Sequence, residues 1–212
     1  MSRAKPISRS ANRVERPDDR ALPSRRAEIL DRAAELFAQR GIAATTVREI
    51  GDAVGMLSGS LYHHFASKEQ MIEEIIASYL EDLLRRYRAV SAAHDQPRER
   101  FAALVRTSFH SVAEHPSACR IYQRDFALLA DLASFPRMKR IGATTRRIWL
   151  TTIEDGVAAG TLRSDLDPEV FYRFLRDALW MSAQWYRPGG RRPVDELADE
   201  CIAIFLEGFG SR

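Results

Sequence analysis

The sequence predicts an all-α protein made of a small N-terminal unit of three helices and a larger helical bundle. From Pro23 onward, apolar residues recur three or four positions apart, and strand-like alternation never lasts more than a few residues. Prolines divide the second half into segments of helix length, which run over 98–114, 117–132, 137–159, 168–186 and 194–208. With a long helix ahead of them, these segments predict a bundle of about six helices.

The composition excludes several classes of protein. The chain has 212 residues, 45% of them hydrophobic, which is enough to form a core. It contains no apolar run near the ~18 residues that a membrane span needs, and no apolar stretch that would make its N-terminus a signal peptide. Its two cysteines, Cys119 and Cys201, form no CxxC motif, so we expect no disulfide, no structural zinc and a reducing cytoplasm.

Positive charge is concentrated at the N-terminus. Residues 1–26 hold eight basic and three acidic side chains, an excess of five, although the net charge of the whole chain is only +3. Residues 1–22 also lack hydrophobic periodicity, so we interpret them as a disordered basic arm. Such an arm is either simply solvated or in contact with a polyanion.

Local signals place the first two helices. Ser24 can cap a first helix over about 24–40, and Gly41 is a suitable residue to end it. Thr46 and Glu49 form an S/T-x-x-E capping box, which opens a short second helix.

A third helix is expected within 56–65, after a turn that contains glycine. Leu61 and Phe65 are four residues apart in it, so we expect both to pack inward. Ser67 and Gln70 form a second capping box, which opens a long helix to about residue 93. Three helices, the last two short and joined by a tight turn, have the layout of a helix-turn-helix motif.

Polar side chains on this motif have the chemistry that DNA recognition needs. Ser58, Gly59 and Ser60 are small enough for close approach to the major groove, and serine hydroxyls can contact bases. Tyr62 and His63 carry donors that reach phosphates. Phosphate contacts are also expected near the starts of the neighbouring helices, at Thr46, Arg48 and Lys68. Each residue alone could be an ordinary surface residue, and the joint pattern is what favours DNA.

Two stretches resemble a known family. Residues 45–50, TTVREI, and residues 58–69, SGSLYHHFASKE, are similar to the TetR family of bacterial transcriptional repressors. The resemblance covers about residues 24–70. It implies an all-α homodimer whose helix-turn-helix domain, 23–68, binds a palindromic DNA operator, and whose remainder, 69–212, binds a small ligand and forms the dimer. It also implies DNA contacts at Thr46, Arg48, Ser58, Ser60, Tyr62, His63 and Lys68.

The globular part of the DNA-binding unit is not basic. Residues 27–68 contain four basic and five acidic side chains. Attraction to phosphates must therefore come from a few placed residues, from helix N-termini or from the arm. We expect deletion of residues 1–22 to weaken DNA binding and to reduce its dependence on salt.

The segment 168–186 carries a polar stripe. Arg176, Trp180 and Gln184 are four residues apart and share one helix face, with Asp177 beside them. The stripe is either a site for an anionic or thioester ligand against an aromatic wall, or a dimer face with a satisfied ion pair. The core side of the same helix is expected to carry Phe171, Phe174, Leu175 and Ala178.

A second resemblance is to one branch of the family. Residues 121–123, IYQ, residues 172–177, YRFLRD, Trp180, and residues 185–190, WYRPGG, are similar to repressors of late steroid (cholesterol) ring degradation, whose inducer is the coenzyme A thioester of a two-ring steroid remnant. This implies that Arg176 meets the polar part of the effector and that Trp180 lines its pocket. Gln184 departs from the branch, which has a basic residue there, and the sequence Gln-Arg-Asp at 123–125 replaces an expected acidic pair. The ligand-binding candidates are Tyr122, Trp149, Arg176, Asp177, Trp180 and Gln184.

Catalysis has no support in the sequence. No segment has a nucleophile elbow, a phosphate-binding glycine loop or metal-ligand spacing, and the adjacent His63 and His64 cannot share one helix face. Two alternatives stay open: a regulator of another amphipathic ligand, such as a fatty acyl-CoA or a drug, and a DNA-binding protein that needs no ligand. In the expected mechanism, the ligand prefers a conformation in which the recognition helices are spaced differently, and the long helix over 67–93 is the lever.

Overall fold

The protein is described by a computed structural model, which covers residues 24–131 and 136–208. This part of the chain is all-α, as predicted, and contains ten helices and no strand. The predicted arm over 1–22 and the end of the segment 117–132 lie outside the described residues. The helices are α1 Arg25–Arg40, α2 Val47–Ala53, α3 Ser58–Leu61, α4 Lys68–Ala93, α5 Pro97–Glu114, α6 Pro116–Arg124, α7 Phe126–Asp131, α8 Pro136–Ala158, α9 Pro168–Trp185 and α10 Val194–Glu207.

The first helix begins and ends at the predicted residues. The Ser24 side chain accepts a hydrogen bond from the Ala27 amide at 3.3 Å, and Gly41 ends the helix with a φ of +98°. Because that φ lies in the left-handed region, glycine is the residue that suits this position. The buried face of α1, which includes Ile29 and Phe37, belongs to one core with Leu61 of α3.

Two capping predictions have different outcomes. The Thr46–Glu49 box is confirmed, because the Thr46 hydroxyl accepts from the Glu49 amide at 3.2 Å and the Glu49 carboxylate accepts from the Thr46 amide at 2.8 Å. The second box is only half formed. Ser67 accepts from the Gln70 amide at 3.2 Å, whereas the Gln70 side chain accepts from the Ala66 amide, not from that of Ser67.

The predicted third helix is shorter than its segment 56–65. Regular helix covers only Ser58–Leu61, and residues 62–64 form a turn. Gly51 explains how closely α2 approaches the start of α3. A Cβ at residue 51 would lie 2.7 Å from the Met56 carbonyl oxygen, so only glycine fits there without a shift of the backbone.

Within the described residues of the C-terminal part there are seven helices, α4 to α10, where the sequence predicted about six. The additional one arises because the segment 117–132 is interrupted at Asp125, which ends α6. The Asp125 carboxylate accepts a hydrogen bond from the Ile42 amide at 3.4 Å, so the interruption lies where α6 meets the DNA-binding unit. The predicted start of α9 is confirmed, with Asp167 capping the Val170 amide at 2.9 Å ahead of Pro168.

One face of α9 was assigned wrongly from the sequence. Phe174 and Ala178 were expected in the core, but both are exposed, and Phe174 has 70% of its surface accessible. Leu175 is fully buried, as expected. A helix with two apolar faces gives no periodic signal that tells which of them packs inside its own chain. Phe174 belongs to a stripe of exposed apolar residues, which also includes Val170, Ala178, Met181 and Trp185.

Candidate functional site: a helix-turn-helix face and a cavity in the helical bundle

The predicted base-reading residues lie on an accessible surface. Leu61 and Phe65 are buried, as expected, and they anchor the motif to its core. Gly59, Tyr62 and His63 are exposed, whereas Ser58 and Ser60 are half-buried at the edge of the same segment. The motif therefore presents small and polar groups outward from a fixed apolar base, which is the arrangement that entry into a major groove requires.

Thr46 and Arg48 begin the preceding helix and are both exposed. Arg48 has 85% of its side chain accessible, and its distance to Asp52 is 4.0 Å, so its guanidinium is available to a phosphate. Glu49 is an acidic residue beside this surface. Hydrogen bonds from Thr46, together with the positive charge of Arg40, lower the pKa of Glu49, and Arg40 lies 2.6 Å from its carboxylate.

Lys68 has an internal role in the structure. Its ammonium donates to the carbonyl oxygens of Ile42 at 2.9 Å and Thr45 at 3.1 Å, and so it closes the loop between α1 and α2. One N–H remains for a phosphate, and that contact stays a prediction. Arg25 and Arg26 were counted with the basic N-terminus, but they are also used internally. Arg25 donates to the Val54 carbonyl at 2.6 Å, and Arg26 pairs with Glu74 and lies over the Phe65 ring.

Leu57 is a surface residue that the sequence analysis missed. It is the N-cap residue of α3, makes no side-chain capping bond and has 82% of its surface exposed. Leucine is a poor N-cap residue, and this local anomaly was the available signal. Its exposed side chain can contact thymine methyl groups or sugars beside the polar residues of α3.

The C-terminal helices form a cavity of about 790 Å³ that is partly open to solvent, and this volume is within the usual size range of small-molecule sites. Its walls come from α4, α6, α8 and α9. Five predicted residues line it, namely Tyr122, Trp149, Arg176, Asp177 and Trp180. Gln184 does not line the cavity. It shares the face of Trp180, but four residues carry it about 6 Å further along α9, where its side chain is exposed.

Aromatic rings form the inner wall of this cavity. Tyr122 packs on Trp180 with ring centroids 4.6 Å apart, and Trp149 meets Tyr87 edge to face at 5.7 Å. The Tyr87 hydroxyl lies 2.6 Å from the Ser108 hydroxyl, so its polar end is satisfied within the core. Such a wall suits a flat or alicyclic apolar group.

Three arginines lie around the polar side of the cavity, Arg146, Arg173 and Arg176. Arg176 is held by Asp177, with nitrogen–oxygen distances of 2.8 and 2.9 Å. Arg146 and Arg173 both pair with Glu169, and the hydrogen bond from Arg146 is the main cause that lowers the pKa of this carboxylate. Three cations against two carboxylates leave one positive charge for an anionic ligand.

The positive charge of Arg176 affects the pKa of two tyrosines that line the cavity. Burial raises the pKa of Tyr122 and of Tyr172, and the nearby positive charge of Arg176 opposes the rise in both. Arg146, Glu169 and Arg173 were not among the predicted ligand residues. The four-residue spacing of Glu169 and Arg173 was a visible signal, but the approach of Arg146 from α8 could be seen only in the fold.

Four consecutive residues at the end of α6 connect the cavity to the DNA-binding unit. Tyr122 and Gln123 face the cavity, and the Gln123 amide donates to the Trp180 carbonyl. Arg124 donates to the carbonyl oxygens of Phe37 and Ala38 at the end of α1, the latter at 3.2 Å. Asp125 then accepts from the Ile42 amide. A movement of α6 at the cavity would therefore displace the side chains that bind the end of α1.

Two other kinds of site are not seen in the described residues. They contain no group of three or more histidine, cysteine or acidic side chains that could hold a metal ion. None of the helices described is long and apolar enough to cross a membrane.

A helix-turn-helix surface on an all-helical body with a small-molecule cavity is the architecture of a DNA-binding regulator. Residues 29–75 match the family model of bacterial regulatory proteins of the tetR family. Residues 94–209 match the tetracyclin repressor-like C-terminal domain. The chain belongs to the TetR family and is a DNA-binding transcriptional repressor, not an enzyme.

Its relatives include the HTH-type transcriptional repressor KstR2 of Rhodococcus jostii, 44% identical over 92% of this chain and 95% of the relative. Two solved structures are similar in fold as well as in sequence. The probable transcriptional regulatory protein RHA5900 has a TM-score of 0.83 and 45% identity, over 89% of this chain and all of that one. The ketosteroid transcriptional regulator KstR2 of Mycobacterium tuberculosis has a TM-score of 0.81 and 41% identity, over 90% of this chain and 97% of that one.

Proposed function

We propose that this repressor controls genes of steroid degradation and leaves its operator when a coenzyme A thioester of a steroid-ring catabolite enters the cavity. The observation that carries the proposal is one cavity with an aromatic wall at Tyr122 and Trp180 and three arginines on its polar side. The similarity to KstR2 repressors of other bacteria supports the steroid part. The thioester is an effector, and the proposal needs no resident cofactor.

The chemistry of the cavity favours an amphipathic anion. An alicyclic ring system can bury its surface against the aromatic wall, and each buried CH₂ contributes about 0.8 kcal/mol. Phosphate groups cannot be buried without partners, because desolvating an unpaired charge costs too much. Arg176 offers charge-assisted bonds where the apolar wall ends, and a guanidinium can bind a phosphate through two parallel bonds.

The homodimer expected from the family would form through the exposed apolar stripe of α9. Phe174 and Trp185, with 70% and 58% of their surface accessible, are too large and too apolar for a solvated helix face. Pairing with a second copy would cover them, as a two-fold interface requires. In this dimer, two α3 helices enter successive major grooves of a palindromic operator, with centres about 34 Å apart.

Release of DNA would follow from a shift between two conformations of the dimer. The effector must bind more tightly to the conformation whose α3 spacing does not match the operator. Both α4 and α6 can carry this preference. Leu80 and Leu83 of α4 line the cavity while Lys68, its first residue, holds the loop between α1 and α2. Arg124 of α6 joins the cavity wall to α1.

Fluorescence anisotropy of the DNA upstream of the protein's own gene tests the proposal. The complex is titrated with the coenzyme A thioester of a two-ring steroid acid and, separately, with the free acid. We expect release by the thioester and at least about tenfold less effect from the free acid, which lacks the phosphates that Arg176 would bind.

Other results of the same titration identify the alternatives. Release by a fatty acyl-CoA or a drug, but not by the steroid thioester, would show that the cavity binds a different class of effector. DNA binding that none of these compounds disturbs would favour a repressor that works without a ligand.

A further inference from the structure

Gly142 lies in the interior of α8, where a glycine weakens a helix relative to alanine. Packing explains the other glycine of this helix. A Cβ at Gly156 would lie 2.6 Å from the Leu162 side chain, so α8 and the following loop could not approach each other. A Cβ at Gly142 would have no atom of the described residues within 4 Å. Neither a close contact nor an unusual backbone angle accounts for glycine at residue 142.

The position of Gly142 suggests another reason. It lines the cavity, yet it is exposed, whereas its neighbour Ile141 lines the same cavity and is buried. Gly142 therefore lies at the boundary between the cavity and solvent, as do the exposed lining residues Arg146 and Arg173, but it alone among them has no side chain. One turn further along α8, Thr145 and Arg146 continue the same wall.

Cations flank this boundary along the helix. Lys139 and Arg146 are three residues before and four residues after Gly142, which places all three on one side of α8. Both cations are exposed, and Arg146 also pairs with Glu169. Arg173 of α9 lines the same cavity. An anionic chain that crossed α8 at Gly142 would have a cation on either side.

We propose that Gly142 is the point where the anionic chain of the effector leaves the cavity for solvent, and that the missing side chain keeps this opening free. The effector class is an amphipathic anion with an enclosed apolar end and a charged chain too long for the cavity. The inference rests on the proposed function, because it assumes that the effector occupies this cavity.

The test compares Gly142→Leu with Ala143→Leu in the full-length protein. Ala143 is exposed and does not line the cavity, so the control adds similar bulk one residue away. Two probes are titrated: the steroid coenzyme A thioester, whose chain must cross the opening, and the compact fluorescent anion 8-anilinonaphthalene-1-sulfonate. For Gly142→Leu we expect thioester affinity to fall about tenfold or more and the association rate of the compact probe to fall by a similar factor. Ala143→Leu should change neither.

A second variant separates the role of this glycine at the opening from its effect on helix stability. We expect Gly142→Ala to raise the melting temperature by about 2–4 °C, because alanine favours the helix. If residue 142 is the opening, the same variant should also weaken thioester binding. If Gly142→Leu and Ala143→Leu have the same thioester affinity and the same association rate for the compact probe, residue 142 is not the opening. If even the unmodified protein binds no thioester, the proposed effector is wrong, and the association rate of the compact probe still decides whether Gly142 is the opening.

Discussion

Arg176 is the residue on which the ligand proposal depends most directly. It lines the cavity, and its guanidinium is paired with the neighbouring Asp177 at 2.8 Å. The carboxylate on the adjacent residue orients the arginine and partly neutralises its charge. The same pair is consistent with both interpretations of the polar stripe, a ligand site or a dimer face. Its position at the cavity favours the ligand site.

Replacement of Arg176 by alanine should separate the two activities of the protein. We expect Arg176→Ala to lower effector affinity by about 2–3 kcal/mol, because a charge-assisted pair to phosphate is removed. DNA affinity without effector should change by less than about 0.5 kcal/mol, as expected of a surface substitution. Anisotropy with operator DNA measures both quantities.

Arg163→Ala is the matched control for this prediction. Arg163 also pairs with a nearby carboxylate, that of Asp165, at 2.6 Å, but it does not line the large cavity. Its replacement should leave effector release unchanged. Normal release from the Arg176 variant would assign this arginine a purely structural role.

At the scale of elements, α6 contacts both the cavity and the DNA-binding unit. Its last residue, Arg124, donates to the carbonyl oxygens of Phe37 and Ala38 in the last turn of α1, and the Phe37 carbonyl also accepts from the Gly41 amide at 2.9 Å. A cation at the C-terminal end of a helix is also favoured by the helix dipole. The adjacent Gln123 is bonded to the backbone of α9 at the cavity. α6 is thus fixed at both sites.

Arg124→Ala should weaken the coupling between effector and DNA. We expect the ratio of DNA affinities without and with effector to fall about fivefold, which corresponds to about 1 kcal/mol of coupling free energy. Effector affinity of the DNA-free protein should stay the same, because Arg124 does not line the cavity. Isothermal titration of effector and anisotropy of the operator complex give the two values.

Arg120→Ala, one turn earlier on the same helix, controls for the removal of a positive charge. A coupling ratio that is equal in both variants would show that α6 does not transmit the signal. In that case α4, which carries Lys68 at one end and cavity residues further along, becomes the lever.

The oligomeric state belongs to the scale of the whole molecule. Phe174→Glu should break the proposed dimer, because it would bury an unpaired charge in each half of a two-fold interface. The expected cost is at least about 3 kcal/mol, or more than a hundredfold in the dissociation constant. Sedimentation at micromolar concentration should then give a mass near 24.1 kDa, that of one chain.

Ala92→Glu is a suitable control, because residue 92 is exposed on α4, not on α9. This variant should sediment like the unmodified protein. A Phe174→Glu variant that remains dimeric would place the interface elsewhere.

Net charge is also a property of the whole molecule. Residues 1–22 hold six basic and three acidic side chains, and Arg25 and Arg26 are engaged within the DNA-binding unit. We expect deletion of residues 1–22 to weaken operator binding. The slope of log K against log salt should become shallower by about 0.9 for each phosphate that the arm neutralises in the intact complex. Binding over a series of salt concentrations measures this slope, and an unchanged value would mean that the arm does not bind phosphates.

The amino-acid sequence by itself determined the all-α class, the starts of α1, α2 and α9, and the family. Caps such as Ser24, Thr46 and Asp167 act within three or four residues of themselves, and Gly41 ends α1 through its own backbone angle. Such signals are local, so they can be read without the fold. The motif around α2 and α3 was distinctive for the same reason.

Only the tertiary structure decided how these helices are used. Lys68 binds carbonyl oxygens 26 and 23 residues earlier in the chain, and Arg124 those of Phe37 and Ala38, 87 and 86 residues earlier. The cavity excludes Gln184, and Phe174 faces outward, because the packing of α8 and α9 selects which side of each helix is enclosed. Helical periodicity defines the faces of a helix, but the neighbours of each face come from distant parts of the chain.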